Sequence, residues 1–139
     1  MSTYIDPERA AFEAFKALPR DEPIEMLNLI SLFDEAKYPD GRQASGADAY
    51  RSYGEVSGPV FQRVGGSILW RGRPQNMLIG PSEELWDIAF IARYPSAKAF
   101  LEMVTDPFYQ SDAVPHRRAG VRDSRLIRHA SLSGSSNFG

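Results

Sequence analysis

The chain has 139 residues, of which 42% are hydrophobic and 24% are charged, and its formal net charge is −2. This composition predicts one globular domain with a sizeable core, and the slightly acidic balance excludes a general nucleic-acid binder, which would need a basic surface. The chain contains no cysteine, which excludes disulfides, thiol catalysis and cysteine-ligated metals.

The sequence shows neither the apolar run of a membrane span nor the pattern of a secretory signal. No apolar run approaches the roughly 18 residues that span a bilayer. The N-terminal stretch 1–15 is charged early and lacks the apolar core of a secretory signal. We therefore expect a cytoplasmic protein with neither a membrane nor a nucleic acid as its partner.

The first predicted element is an amphipathic helix. Asp6 and Pro7 are typical of a helix N-terminus, and apolar residues follow at helical spacing before Pro19 and Pro23 end the pattern. We assign residues 1–23 to an N-terminal helical extension that packs against the rest of the chain.

A nearly unbroken apolar run over 24–33 predicts a buried strand, although a buried helix would show a similar pattern. Asn28 interrupts the run, and on a strand it shares a face with Met26, Ile30 and Leu32. A buried amide needs hydrogen-bond partners. Two interpretations stay open: Asn28 pairs with neighbouring backbone, or it points into a pocket and binds substrate.

A polar loop over 34–46 leads into a second helix. Ser45 and Asp48 have the spacing of a capping box. Tyr50 and Tyr53 lie on the apolar side of this helix. They are either core tyrosines with partly exposed hydroxyls or hydrogen-bonding groups, and Tyr53 is a candidate substrate-binding residue.

The stretch 67–73 alternates as a strand does, which places Ile68 and Trp70 on one face and Leu69 and Arg71 on the other.

The stretch 85–94 is the next predicted strand, and Asp87 is an acid within its apolar run. A buried Asp87 must be paired or have a raised pKa, and Arg71, on what we expect is the neighbouring strand, is one possible partner in a cross-strand ion pair. The ion pair serves either the sheet alone or a substrate-binding pocket.

The stretch 94–123 carries a third helix capped by Ser96 and then a short helix introduced by Asp106 and Pro107. Tyr109 lies in the short helix and is a further candidate for substrate binding. A final turn ends at Gly120, and a last strand is expected over 124–130.

The order of elements after the first helix is βαββαβ, which is typical of an α+β, ferredoxin-like fold with a four-stranded antiparallel sheet and helices on one face. The strands over 24–33 and 85–94 are apolar on both faces, so the second face of the sheet also needs a cover. We therefore predict a domain over 24–130 that pairs sheet to sheet as a homodimeric α/β barrel, followed by a flexible tail over 131–139.

The chain resembles the DUF1330 family of the dimeric α/β-barrel superfamily over about Ile24 to Ala130. The resemblance is carried by Tyr50, Tyr53, Pro59, Gly65-Gly66, Trp86-Asp87, Tyr94-Pro95-Ser96, Phe100, Asp106-Pro107, Tyr109, His116-Arg117, Ala119 and Asp123. It implies the fold and the dimer but no established reaction. Members of the wider superfamily include small monooxygenases, haem-degrading enzymes and muconolactone isomerase-like proteins, an analogy that says little about function.

His116 and Arg117 are the candidate catalytic residues. Histidine titrates near neutral pH, and an arginine can bind a carboxylate or an enolate through two hydrogen bonds. Adjacent helical residues diverge by about 100°, so one of the two is expected to face a given pocket. A plain surface run of basic residues near a helix C-terminus is the alternative.

These residues are compatible with three functions. The first is a cofactor-independent enzyme in which His116 transfers a proton on a small organic acid or enolisable carbonyl compound, with Arg117, Arg71 or Asn28 stabilising the oxyanion. The second is a protein that binds a small molecule without transforming it, and the third is a structural dimer module. No metal site or cofactor is predicted.

Overall fold

The computed structural model describes residues 2–134 and 137–139. The helices are α1 (Arg9–Ala17), α2 (Gly46–Arg63), α3 (Ala97–Thr105) and α4 (Val114–Gly120), and a π-helical turn, Tyr109–Ala113, runs directly into α4. The strands are β1 (Ile24–Leu32), β2 (Ser67–Gly72), β3 (Ile88–Tyr94) and β4 (Val121–His129). The expected tail includes positions 135 and 136, and the N-terminal extension includes position 1; these three positions lie outside the described residues.

The four strands form one antiparallel sheet in the order β2-β3-β1-β4. This order, with α2 and α3 in the two crossovers, is the ferredoxin-like βαββαβ arrangement that the element pattern predicted. The two central strands, β1 and β3, are also the most apolar in sequence.

The core lies between the helices and one face of the sheet, which we call the inner face. Ile24 and Met26 of β1 are buried there with Phe100 and Met103 of α3 and Val60 of α2. Ile24 and Met26 are two residues apart, so the pleat of the strand turns both side chains to this face. Within the described ranges, no helix is both long and apolar enough to cross a membrane.

Side-chain caps begin α2, α3 and the turn after α3 where the sequence predicted them, whereas α1 begins at Arg9 without a side-chain cap, so its predicted start at Asp6 and Pro7 is wrong. The Oγ atoms of Ser45 and Ser96 each accept a backbone N–H three residues further on, at 3.0 and 3.1 Å. Oδ1 of Asp106 accepts the backbone N–H of Tyr109 at 3.0 Å and so caps the turn that follows α3. Each bond satisfies a donor that a helix start leaves without an internal partner.

The expected strand over 85–94 begins later, at Ile88. The carboxylate of Asp87 accepts the backbone N–H of Leu32 at 2.7 Å, while the Asp87 N–H donates to the carbonyl of Ile30 at 2.7 Å. A side chain thus takes the position of a backbone acceptor and ends the regular ladder. Asp87 forms this bond and no ion pair with Arg71, so the predicted cross-strand pair is wrong.

The last strand begins at Val121, three residues earlier than expected, because α4 passes into β4 without a loop. The carbonyl of Gly120 accepts the N–H of Phe33 at 2.9 Å. Gly120 has no positive φ, so a left-handed helix stop is not its role. A Cβ at Gly120 would lie 2.7 Å from the carbonyl oxygen of Gly46 and 3.1 Å from Cβ of Ala49. This glycine therefore permits the close approach of α4 to the start of α2.

A β-bulge changes the faces of β2. Ile68 pairs with Ala92 and Trp70 with Ile91, so Leu69 is an extra residue. The predicted alternation is therefore wrong: Ile68 and Arg71 face the helices, while Leu69 and Trp70 lie on the outer face. An alternating sequence does not reveal where a bulge lies. Because two residues of the bulged strand oppose one residue of its partner, every later side chain takes the opposite face from the one that strict alternation predicts.

We expect Gly120→Ala to lower the free energy of unfolding by about 1–3 kcal/mol, because the added methyl group overpacks the contact between α2 and α4. Gly54→Ala is the control, since a Cβ at Gly54 meets no atom within 4 Å and alanine favours the helix by about 0.5–1 kcal/mol. Urea unfolding of both variants measures the difference. A Gly120→Ala variant as stable as the Gly54→Ala variant would contradict the close approach.

Candidate functional site

A cavity of about 1170 Å³ lies between the inner face of the sheet and the helices. Its floor is made by β1, β2, β3 and β4, and its walls by α1, α2, α3, the π-helical turn and α4. The volume is somewhat above the roughly 300–1,000 Å³ that is typical of small-molecule sites.

Five of the predicted site residues line this one cavity: Asn28, Tyr53, Arg71, Tyr109 and Arg117. They come from β1, α2, β2, the π-helical turn and α4, so the fold brings together side chains that are far apart in sequence. Asp87 and His116 are not among the lining residues.

His116 lies on the side of α4 that faces the loop over 34–46. Its Nδ1 atom is 2.6 Å from the hydroxyl of Tyr38, and the two rings meet edge to face at 5.6 Å. The guanidinium of Arg42 lies over the ring of Tyr38, 4.3 Å from the ring centroid. The loop, whose place was open from sequence, therefore packs on α4 through His116.

Three tyrosines form a chain along one wall. The hydroxyls of Tyr53 and Tyr109 are 2.8 Å apart, and the rings of Tyr50 and Tyr53 are 5.5 Å apart. Burial, with the neighbouring Tyr53, raises the pKa of Tyr109 and that of Tyr50. Both phenols therefore keep their protons at neutral pH and act as neutral hydrogen-bonding groups.

Asn28 both pairs with neighbouring backbone and faces the cavity, and its binding of substrate stays a prediction. Its Nδ2 atom donates to the carbonyl of Met26 at 3.1 Å, and the side chain lines the cavity. The amide oxygen accepts no hydrogen bond from the part of the chain that the structure describes. An acceptor therefore remains available on the cavity floor.

The charged lining residues are mostly cations. Six arginines line the cavity against two carboxylates: Arg9, Arg51, Arg71, Arg117, Arg118 and Arg128 against Asp6 and Glu55. Within residues 2–134 and 137–139, no group of three or more His, Cys, Asp or Glu residues has the arrangement to hold a metal ion.

The N-terminal segment (residues 4–20) closes one side of the cavity, which the sequence did not predict. Ser124 Oγ donates to the carbonyl of Tyr4 at 2.6 Å, and the N–H of Tyr4 donates to Asp123 at 2.9 Å. Arg117 donates to the carbonyl of Ile5 and, at 3.2 Å, to Ser124 Oγ. The segment is therefore fixed to β4 and α4 through its backbone.

α1 continues this wall. Arg128 donates to the carbonyls of Phe15 at 3.2 Å and Pro19 at 2.5 Å, and the ring of Phe15 is 5.1 Å from that of Phe100. The apolar spacing of α1 indicated that it packs against something, but nothing in the sequence indicated that Arg128 of β4 is one of its partners.

Asp123 holds the start of the segment, so its charge matters for stability. Burial alone would raise the pKa of Asp123, but hydrogen bonds from the Tyr4 backbone and Arg125 outweigh it and lower the pKa. Such a group stabilises the fold above the ordinary aspartate pKa of about 3.9, and its contribution is lost as the pH falls through the lowered value.

We expect Asp123→Asn to lower the free energy of unfolding by about 1 kcal/mol at neutral pH, with the difference from wild type shrinking as the pH falls below about 4. Urea unfolding across this pH range measures the difference. Asp21→Asn is the matched control, because Asp21 is exposed and forms no hydrogen bond with a described residue. A difference that persists unchanged in acid would show that the carboxylate charge is not what fixes the segment.

Comparison with known proteins agrees with this architecture. The sequence profile of DUF1330, a domain of unknown function, matches residues 43–130. The crystal structure of methylated RPA0582 protein is similar at 53% identity and a TM-score of 0.91, covering 96% of this chain and 98% of that one. A second crystal structure, of the RPA0582 protein of unknown function from Rhodopseudomonas palustris, is similar at 51% identity and a TM-score of 0.90, covering 96% and 100%. No curated protein sequence matches the chain. A match to the family profile over most of the βαββαβ unit, together with a fold that has the expected order of strands, means that the chain belongs to the DUF1330 family.

Proposed function

We propose that the protein binds a small amphipathic organic anion, such as a carboxylate on an apolar body, in the cavity beneath α1 and α2. The observation that carries this proposal is the excess of arginines over carboxylates in a cavity whose other lining is largely aliphatic and aromatic. Guanidinium groups bind carboxylates through two parallel hydrogen bonds, and the apolar lining favours removal of a hydrocarbon body from water.

The chemistry of the lining favours binding over acid–base catalysis. Burial raises the pKa of Tyr50 and that of Tyr109 further above neutral pH, so neither phenol can act as a base there. His116, the expected proton-transfer residue, is engaged by Tyr38 and is not a lining residue. The enzymatic role of His116 therefore stays a prediction, and it would require a ligand that reaches α4 from the side of the loop over 34–46.

We expect organic carboxylates to raise the melting temperature of the protein, while amides of the same acids do not, because stabilisation by a ligand follows its affinity for the folded state. Differential scanning fluorimetry with aliphatic and aryl carboxylates of increasing length, each beside its amide, measures this. The effect should weaken as the salt concentration rises, since exposed charges are screened. Equal shifts for acids and amides, or no shift with any acid, would overturn the proposal.

We also propose that a second copy of the chain covers the outer face of the sheet. Leu69, Trp70 and Ile127 are exposed there beside the half-buried Leu27 and Ile91. A contiguous apolar face of this kind usually marks an interface, and a sheet that meets its own copy forms an isologous one.

Substitution of one outer-face leucine tests the pairing. Leu69→Lys should yield a monomer where the wild type is a dimer, because a charge at a buried interface is strongly unfavourable. Leu18→Lys is the matched control: Leu18 is 50% exposed against 54% for Leu69, but it lies at the end of α1, on the helical side. Light scattering after size exclusion at micromolar concentration gives the masses. A monomeric wild type, or a Leu69→Lys variant that stays dimeric, would contradict the proposal.

A further inference from the structure

We infer that the ligand is a hydroxylated aryl carboxylic acid that lies across the cavity floor, with its acid group on Arg71, its ring over Phe90 and its hydroxyl donating to Asn28. This inference rests on the proposed function and adds the class of ligand and the residues that select it. It follows from one row of side chains on the inner face of the sheet.

The row crosses all four strands. Arg71 of β2 pairs with Phe90 of β3, Phe90 pairs with Asn28 of β1, and Asn28 pairs with Leu126 of β4. Directly opposed residues lie on the same face of a sheet, and all four line the cavity. Neighbouring strands are about 4.8 Å apart, so the backbones that carry Arg71 and Asn28 lie about 10 Å apart, with Phe90 on the strand between them.

Arg71 is available to a ligand in a way that most of the cavity arginines are not. Arg117, Arg118 and Arg128 are bonded to the N-terminal segment, and Arg51 pairs with Asp48 at 2.6 Å. The side chain of Arg71 forms no hydrogen bond or ion pair with any described residue. The other such lining arginine, Arg9, belongs to α1 and not to the sheet.

The β-bulge at Leu69 is what brings Arg71 to this face, because regular pairing from Ile68 onward would have turned it outward. The charge of Arg71 also reaches the buried wall: together with that of Arg117 it opposes the rise in the pKa of Tyr50 that burial causes. An anion bound by Arg71 would therefore lie beside the tyrosine wall and within the cavity, although Arg71 itself is at the solvent-exposed edge strand.

Asn28 supplies the second half of the selectivity. One N–H of its amide is bonded to the Met26 carbonyl, which can only accept and so fixes which end of the amide is the nitrogen, and the amide oxygen accepts from no described residue. A ligand atom that meets it must be a donor, such as a hydroxyl. Phe90 between the two polar groups offers an aromatic surface, which favours an aromatic ring in the middle of the ligand.

Three matched probes test the inference by titration calorimetry: para-hydroxyphenylpropionate, phenylpropionate and the amide of the hydroxylated acid. We expect the hydroxyl to improve affinity about fivefold and the carboxylate about tenfold or more. In Arg71→Met the advantage of the acid over the amide should disappear, and in Asn28→Leu the advantage of the hydroxyl should disappear. Asn28→Ala replaces Asn28→Leu if the larger side chain impairs folding.

Arg73→Met is the control, because Arg73 is an exposed arginine just beyond β2 that does not line the cavity; it should bind all three probes as the wild type does. If the acids bind but Arg71→Met and Arg73→Met retain the same preference for the acid, the inference falls while the proposed function stands. The inference also falls, and the proposed function stands, if the hydroxyl does not improve affinity in the wild type. The outcome is the same if the hydroxyl improves affinity equally in the Asn28 variants. If none of the wider carboxylate panel stabilises the protein, both fall together.

Discussion

The contact between the start of α2 and the end of α4 determines where the functional groups of this protein point. A Cβ at Gly46 would lie 1.9 Å from the carbonyl oxygen of Phe33, and one at Gly120 would lie 2.7 Å from the carbonyl oxygen of Gly46. Gly46 therefore allows α2 to contact the backbone that follows β1, and Gly120 allows α4 to contact the backbone of α2. With α4 held there and joined to β4 without a loop, Arg117 faces the cavity and His116 faces the loop over 34–46.

The sequence predicted those features that depend on local chemistry. The order of elements, the caps at Ser45, Ser96 and Asp106, and the strongly apolar central strands all follow from short-range patterns, and each is present. Adjacent helical residues point in directions about 100° apart, which also predicted that only one of His116 and Arg117 would face a given pocket. Five of the side chains that the sequence named as site residues line one cavity. They could be named because polar residues within apolar elements are uncommon unless they have a partner or a function.

Features that depend on the pairing of distant residues could not be predicted in this way. The bulge in β2 is a property of how two strands align, so the alternation of Ile68 to Arg71 gave the wrong faces. The partner of Asp87 is a backbone N–H of β1, which no spacing rule identifies. The position of the N-terminal segment depends on side-chain bonds to its carbonyls, and a carbonyl has the same chemistry at every residue. None of these contacts leaves a trace in composition or periodicity.

The way α1 is attached has a consequence for the dynamics of the molecule. None of its residues is fully buried, and its main anchors are arginine bonds to backbone carbonyls at its C-terminal end. Elements with little buried apolar surface open locally at a smaller free energy than the central strands do. The wall that α1 forms should therefore detach at a smaller free energy than the central strands unfold, which would widen the cavity while the sheet stays folded.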